Sequence, residues 1–335
     1  MTAATPPDGA GTGAGTDGGA GGPEAAAGWV DSHAHLQDAY LTGERGPGPA
    51  PGGGAPGHED GGAGQAPGVH DGRSLLTAAL ARAAAAGVHR VVCVGTGPGT
   101  TAAALALAEE SAAGLLAPGS PALWATGGLH PHDASEGTAD VLQLLETAIG
   151  AGASAAGGGR LVAVGECGLD YHYDHSPRDA QRVVFAGQVV LARRLDLALV
   201  VHTREAWDDT LGVLAEAGAP ERTIIHCFTG GPEQARRCLD AGAYLSFSGI
   251  VTFKSAGEIR DAAVLCPLDR MLVETDSPFL SPVPFRGSAN EPSRVTVVGE
   301  ALAALRGVDP RVIAEATSDN AARAYALELP AASAV

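Results

Sequence analysis

The alternation of short apolar runs with longer helix-forming segments most constrains how this chain can fold. Continuous runs of Val, Ile, Leu and Ala are typical of parallel strands that are buried on both faces. The sequence predicts eight such strands, at 29–33, 89–95, 122–128, 161–165, 197–201, 222–226, 243–248 and 270–275. Helices are predicted between and after them, at 75–86, 100–113, 138–149, 177–194, 204–217, 232–240, 255–265 and within 292–328.

Eight strand–helix units over roughly 250–300 residues predict a (β/α)8 TIM barrel. A doubly wound open sheet is the alternative. It fits less well, because no Gly-x-Gly-x-x-Gly turn follows an early strand and polar residues end many strands rather than two. The 335 residues are enough for one large α/β domain. We therefore expect a single TIM-barrel domain over 29–330.

Two segments of biased composition lie outside this pattern. Residues 1–28 are mostly Gly, Ala, Thr and Asp, and they lack the apolar bulk that would offset the entropy of ordering. We expect a disordered tail there, and we predict no signal peptide, because a basic start and an apolar run are both missing. Residues 43–72 are rich in Gly and Pro. We expect a flexible insertion after the first strand, placed to restrict which substrates enter.

Charge and cysteine content narrow the function classes. The net charge is -17, from 38 acidic and 21 basic residues, whereas proteins that coat DNA without sequence preference are basic. Bound metal ions would supply positive charge locally. The five cysteines form no C-x-x-C pair, which favours a reducing cytoplasm. No apolar run reaches membrane-spanning length. We expect a cytoplasmic monomer that does not bind membranes.

The first predicted strand ends in a His-x-His motif. Alternate side chains of a strand share a face, so His33 and His35 can bind one metal ion together. Asp31 shares that face, and we expect it to accept a hydrogen bond from an imidazole and so fix its tautomer. Two unrelated surface histidines would produce the same motif. It gains weight only because later strands end in similar residues.

Polar residues suited to metal binding follow six of the eight predicted strands, at the carboxyl ends where a TIM barrel builds its active site. Each one alone has a structural interpretation, such as a packed histidine or a capping carboxylate. Burying all of them unpaired would be costly, which favours one shared site. The residues are His33 and His35, then His130 and His132, then Glu166, then His202, then His226, and finally Asp276.

The ligand types predict two metal ions. Four imidazoles and two carboxylates exceed the three protein ligands that a catalytic zinc usually takes. They suit two divalent ions roughly 3.5–4 Å apart, bridged by a carboxylate and a water. A carbamylated lysine bridge is disfavoured, because the only lysine, Lys254, lies beyond the seventh strand. We expect Glu166 to bridge an ion bound by His33, His35 and Asp276 and an ion bound by His202 and His226.

Two cysteines sit next to predicted ligands. Cys167 follows Glu166 and Cys227 follows His226. Neighbouring residues of a strand face opposite ways. We therefore expect both thiols to point outward and to pack in the core.

With this His-x-His motif and these polar strand ends, the chain resembles the TatD family of metal-dependent deoxyribonucleases, which belongs to the amidohydrolase-like barrels. The resemblance spans 29–36 and 74–328. The motifs that carry it are DSHAHL (31–36), GLHPHD (128–133), GECGLDYHYD (165–174), VVHTREA (200–206), IIHCFTG (224–230), YLSFSGIVTFK (244–254) and LVETDSPFLSPVPFRGSANEP (272–292).

The resemblance implies a (β/α)8 barrel with two divalent ions, Mg, Mn or Zn. It implies hydrolysis of DNA phosphodiester bonds by a metal-activated water, commonly as a 3′–5′ exonuclease on single strands. Glu166, His130 and Asp276 would be catalytic, with His130 contacting the scissile phosphate or assisting the leaving group. Substrate binding would involve His130, Arg204, Asn290 and Glu291. The implied metal ligands are His33, His35, Glu166, His202, His226 and Asp276.

Two other functions stay open. The same metal site could serve an esterase, a deacylase or an amidohydrolase, and the acidity of the chain is compatible with these substrates. A barrel fold alone does not separate these reactions. The third possibility is a noncatalytic binding protein that has kept the barrel fold but not an enzyme activity. The intact ligand set argues against it.

Overall fold

The computed structural model describes residues 1, 28–37, 40, 72–153 and 159–327. Their strands form one parallel sheet in which neighbours in sequence are also neighbours in space. This order is expected when every strand is followed by a helical crossover. The strands are β1 Trp29–Ala34, β2 Val88–Val94, β3 Ala122–Gly127, β4 Leu161–Asp170, β5 Ala198–Arg204, β6 Thr223–Ile225, β7 Tyr244–Phe247 and β8 Met271–Val273.

The chain that follows β8 closes the sheet against β1. Ala34 and Ser277 form a parallel bridge. The amide of His35 donates to the Ser277 carbonyl at 2.7 Å, and the amide of Asp276 donates to the His33 carbonyl at 2.9 Å. The predicted TIM barrel is therefore confirmed, and one of its closing bonds joins two predicted metal ligands, Asp276 and His33.

Nine α-helices of the described chain cover the barrel. None of the described helices is both long enough and apolar enough to cross a bilayer. Short 3-10 turns occur at Pro131–Glu136, Gly249–Thr252, Leu268–Arg270 and Pro292–Arg294. The helices are α1 Gly72–Ala85, α2 Pro98–Ala112, α3 Ala139–Gly150, α4 Arg178–Arg194, α5 Trp207–Ala217, α6 Pro232–Asp240, α7 Gly257–Leu265, α8 Val295–Arg306 and α9 Pro310–Tyr325.

The core has two layers, which follow from the alternation of side chains along each strand. On β2, Val91 and Cys93 pack in the layer between strands and helices. Val92 and Val94 instead face the inside of the barrel. The end of α9 joins this inner layer through Tyr325, whose hydroxyl donates to the Ser32 carbonyl at 2.9 Å.

The structure differs from the predicted elements in two places that matter for the site. β4 runs to Asp170 rather than ending near 165, and a register shift between Val164 and Cys167 places Glu166 within the strand. The helical region predicted over 292–328 divides into α8 and α9. The predicted tail, 1–28, and insertion, 43–72, lie outside the described residues except for Met1, Gly28 and Gly72.

Candidate metal centre

Glu166 lies at the centre of the converging side chains, and its two carboxylate oxygens face different partners. Oε2 is 3.4 Å from Nε2 of His33 and 3.8 Å from Nε2 of His35. Oε1 is 3.0 Å from Nε2 of His226 and 3.1 Å from Nδ1 of His202. The two oxygens of one carboxylate thus face different histidines, those of β1 on one side and those of β5 and the end of β6 on the other.

The β1 histidines form a compact group with Asp276. Its Oδ1 is 3.3 Å from Nε2 of His35 and 3.7 Å from Nε2 of His33. The two Nε2 atoms lie 3.3 Å apart. Both imidazoles are almost fully buried, whereas the carboxylate is partly exposed. Within this group the Asp276 side chain is the most exposed, at 14%, against 6% for His35 and 0% for His33.

Hydrogen bonds at the far side of three rings decide which nitrogen is free. Nδ1 of His35 lies 3.2 Å from the Val94 carbonyl, which can only accept, so Nε2 of the neutral ring keeps its lone pair. Nδ1 of His226 donates to Glu274 Oε1 at 3.2 Å, which again frees Nε2. Nε2 of His202 donates to Asp170 at 3.2 Å, which frees Nδ1. Each free nitrogen is the one near Glu166 or Asp276.

This donor set fits divalent cations. Lone pairs of neutral imidazoles face carboxylate oxygens and one another, an arrangement that a cation stabilises and an empty protein pocket does not. The rings of His33 and His226 stack at 3.9 Å, which disfavours two positive charges there. Three sets of ligand atoms lie within 4.8 Å of one another: His33, Glu166 and His226; His33, His35 and Asp276; His130, Glu166 and His202.

Protonation states reflect burial opposed by neighbouring charge. Burial acts to raise the pKa of Glu166, but His226 and His130 hold it well below its usual range. Burial acts to lower the pKa of His226, but the Glu166 and Glu274 carboxylates raise it well above its usual value. Without a cation, the positive charge in this centre therefore resides on protonated imidazoles beside Glu166.

His130 differs from the other histidines. Burial lowers the pKa of His130 to about 4, so the ring is neutral at pH 7. Its Nδ1 accepts the amide of His132, which leaves the proton on Nε2. Nε2 lies 3.4 Å from Glu166 Oε1, and 14% of the side chain is exposed. The ring thus presents an N–H donor at the edge of the cluster.

Similarity to known proteins assigns the chain to a family. The family model for TatD-related DNases matches residues 30–326. The chain belongs to the TatD-related DNase family. It is 39% identical over 251 residues to the metal-dependent hydrolase YabD of Bacillus subtilis, an alignment that covers 75% of this chain and 92% of YabD. The predicted family is confirmed, and the protein is a metal-dependent hydrolase of the TatD type.

Two further relatives agree with this assignment. The 3′-5′ ssDNA/RNA exonuclease TatD of Citrobacter rodentium is 33% identical over 260 residues, covering 76% of this chain and 92% of that protein. The crystal structure of YJJV, a TatD homologue from Escherichia coli, superposes with a TM-score of 0.70 at 28% identity. That superposition covers 90% of this chain and 98% of YJJV. The TatD fold therefore extends over nearly all of the described barrel.

The structure does not bring every residue with a predicted role into the three ligand sets described above. Arg204 is half-buried, and its guanidinium lies 4.7 Å from the centre of the Tyr173 ring. The buried Asn290 amide donates to the Thr275 carbonyl, so it supports the segment after β8. Glu291 pairs with Arg82 at 2.6 Å. Neither Asn290 nor Glu291 belongs to the convergent ligand sets, so their predicted substrate contacts stay predictions.

Two expectations about neighbours of the ligands are wrong. The carboxylate of Asp31 does not bond an imidazole but accepts from the amide and hydroxyl of Thr275, at 2.8 and 2.6 Å. Cys167 packs in the outer core as expected, but Cys227 does not. The chain leaves β6 at Ile225, so strand alternation no longer applies, and the half-buried Cys227 thiol contacts the Ser248 hydroxyl at 3.2 Å.

Two buried carboxylates that support the ligands were missed by the sequence reasoning. Asp170 accepts from His202 and, at 3.0 Å, from His132. Glu274 accepts from His226 and from the amide of Cys227. An even spacing from a predicted ligand could have indicated both, because alternate residues of an extended chain face the same way. Asp170 lies four residues after Glu166, and Glu274 lies two residues before Asp276.

Proposed function

We propose that this protein hydrolyses phosphodiester bonds of single-stranded DNA as a 3′–5′ exonuclease and that two divalent ions, Mg, Mn or Zn, assist it. The observation that carries the proposal is the position of the Glu166 carboxylate. Its Oε2 faces the β1 histidines, while its Oε1 faces His202 and His226. Such a carboxylate is the bridge expected between two ions. The exonuclease named TatD in Citrobacter rodentium supports the substrate class.

The residues divide between the two ions as follows. His33, His35 and Asp276 would hold one ion, and His202 and His226 would hold the other, with Glu166 shared. Divalent ions in such a site polarise a phosphoryl oxygen and make water nucleophilic near neutral pH. Asp170 and Glu274 accept the proton on the far nitrogen of His202 and His226, so in each neutral ring the nitrogen near Glu166 is the one that can bind an ion.

His130 would act on the substrate rather than on an ion. A neutral ring that carries its proton on Nε2 donates a hydrogen bond. We infer that this N–H binds a nonbridging oxygen of the scissile phosphate and stabilises the charge that develops there. Asp276, which is partly exposed, lies at the open side of the cluster where a substrate phosphate would enter.

A second candidate function is hydrolysis of a carboxylic ester or amide, such as an aminoacyl ester, at the same centre. The net charge of -17 favours it, because a strongly acidic protein repels a polyanion over most of its surface. The two candidates share the ligands and differ only in the substrate. Parallel assays with oligonucleotides and acyl esters separate them.

The deciding experiment is digestion of single-stranded oligonucleotides with a free or a blocked 3′ end, with Mg, Mn or Zn added in turn. We expect stepwise shortening of the free strand only. Glu166→Ala should abolish it while the barrel stays folded, and the matched change Glu216→Ala, at an exposed carboxylate on α5, should not. Equal rates for metal-free Glu166→Ala and the loaded parent protein would refute the proposal.

A further inference from the structure

A basic and aromatic surface lies on the segments that follow β7 and β8, the second of which also carries Asp276. We call it the basic rim, and it consists of Phe253, Lys254, Phe285, Arg286 and Arg294. The Arg286 guanidinium lies 4.0 Å from the centre of the Phe253 ring, and the Arg294 guanidinium lies 4.5 Å from the centre of the Phe285 ring. Lys254 and Arg286 are exposed, and Phe285 is 40% exposed.

The cations of the basic rim are held by neutral groups. Arg286 donates to the Ser281 carbonyl at 3.0 Å, and Arg294 donates to the Ser281 hydroxyl at 2.7 Å. Among the described residues, none of the three cations has a carboxylate oxygen within 4.0 Å, and the nearby Glu291 is paired with Arg82. Within the described part of the chain, the basic rim thus holds three cations free of ion pairs, although the net charge of the whole sequence is -17.

The basic rim is continuous with the metal centre. Phe279 follows Asp276 by three residues, and its ring centre lies 5.8 Å from that of His35. Further along the same segment, the amide of Val283 donates to the Thr252 hydroxyl at 2.9 Å. This bond joins the segment after β8 to the 3-10 turn Gly249–Thr252, which leads directly to Phe253 and Lys254. The segment after β8 therefore carries both Asp276 and the rim residues Phe285 and Arg286, and it is bonded to the turn that leads to Lys254.

We propose that the basic rim binds the part of a single-stranded nucleic acid that extends beyond the scissile bond. Lys254 and Arg286 contact its phosphates, and Phe285 stacks on a base. Cations interleaved with aromatic rings are the general means of binding single strands without sequence preference. The inference rests on the proposed function and deepens it, because it explains how an acidic protein holds a polyanion at one surface only.

The test measures binding of a single-stranded phosphorothioate oligonucleotide and cleavage of the normal strand by the metal-loaded protein. For the double variant Lys254→Ala, Arg286→Ala, we expect the plot of log affinity against log salt to be shallower by about 1.4, for two lost phosphate contacts. KM for the strand should rise while kcat changes little. Phe285→Ala should weaken binding by about fivefold to a hundredfold.

Two variants serve as controls. Arg193→Ala removes an exposed arginine that also donates to a carbonyl, but it lies in the last turn of α4, at the opposite end of the barrel. It should leave the salt slope unchanged. Arg286→Lys keeps the charge and should keep the slope. A small diester, bis(p-nitrophenyl) phosphate, carries neither the further phosphates nor the base that the rim would contact, so all variants should hydrolyse it at the parent rate.

The outcomes separate this inference from the proposed function. If the parent protein cleaves both the strand and the small diester but the rim variants match Arg193→Ala in slope and KM, the inference is overturned and the proposed function stands. If the parent protein cleaves neither yet binds the phosphorothioate strand with a slope that depends on Lys254 and Arg286, the proposed function fails and the inference stands.

Discussion

The buried carboxylate of Asp170 fixes the imidazole of His202 from behind. Oδ2 of Asp170 lies 3.2 Å from Nε2 of His202, while Nδ1 of the same ring lies 3.1 Å from Glu166 Oε1. The other oxygen of Asp170 accepts the amides of His172 and Tyr173, at 3.0 and 2.9 Å. Burial acts to raise the pKa of Asp170, but these bonds hold it far below its usual range. An anion outside the ligand set thus determines which nitrogen His202 offers.

Asp170→Asn should therefore weaken metal binding while leaving the protein folded. The amide has one acceptor oxygen, so it cannot serve His132, His202 and two backbone amides together. Removing a hydrogen-bond partner of a metal ligand typically lowers metal affinity about 10–100-fold, and we expect a loss of that size for Asp170→Asn. Calorimetric titration with a divalent ion measures it, and circular dichroism checks the fold. Asp174→Asn, at an exposed carboxylate paired with Arg178, is the matched control. Equal affinity in both variants would contradict the role of Asp170.

Glu274 should matter for His226 through its hydrogen bond rather than its charge. Its Oε1 accepts from Nδ1 of His226 and from the amide of Cys227, and the side chain is fully buried. Glu274→Gln retains an acceptor oxygen, whereas Glu274→Leu leaves two buried donors unpaired. We expect the Leu variant to lose about 1–3 kcal/mol of unfolding free energy and about 10–100-fold in metal affinity, well beyond the Gln variant. Denaturant unfolding and metal titration of both variants give the comparison, and identical behaviour of Gln and Leu would argue against it.

The inner core offers a stability prediction that is independent of the metal centre. The Tyr325 hydroxyl at the end of α9 donates to the Ser32 carbonyl, and the side chain is 1% exposed. Tyr325→Phe keeps the ring packing but leaves a buried carbonyl without this donor. We expect a loss of about 1–3 kcal/mol with unchanged metal affinity. Urea unfolding in the presence of a chelator measures it, and an unchanged midpoint would show that the bond contributes nothing.

The barrel was predictable from sequence because its signal is local. Each strand is a short apolar run, and the strand ends carry the ligand types, so the sequence alone predicts His33, Glu166 and His226 as ligands. What the apolar pattern did not predict was where a strand ends. β4 continues through polar residues to Asp170 because a register shift lets it keep pairing with β5. Because the predicted strand ends at 165, the sequence analysis does not place Asp170 on β4 and does not predict that it supports a ligand.

The remaining errors depend on contacts between distant parts of the chain. The partner of Glu291 is Arg82, 209 residues away, and the partner of Asp31 is Thr275, 244 residues away. No spacing rule within a motif encodes either pair. The predicted orientation of Cys227 is wrong for a local reason, since its backbone φ of 43° lies outside strand geometry. The motifs therefore predicted which residues form the metal centre. The partners of Glu291 and Asp31 could be identified only from the three-dimensional structure.

The pH dependence of stability should reverse when metal ions bind. In the metal-free protein the pKa of His202 and the pKa of His226 are raised, although burial opposes this, because Asp170, Glu166 and Glu274 favour the charged rings. Burial raises the pKa of Asp31 to about 8. Above pH 6.5 these three groups hold more protons when folded than when unfolded. Their contribution to stability is complete below the unfolded pKa and is lost as pH rises through the folded pKa.

With a chelator present, the unfolding free energy should therefore fall between pH 6.5 and 8. Divalent ions require neutral imidazoles, so binding releases protons and its contribution to stability grows with pH over the same range. Denaturant unfolding at several pH values, with chelator or with saturating metal, gives the two slopes. His226→Gln should flatten both of them, because it removes one proton site and one metal ligand together. A metal-loaded protein that loses stability with rising pH as steeply as the metal-free protein would mean that these imidazoles do not hold the ions.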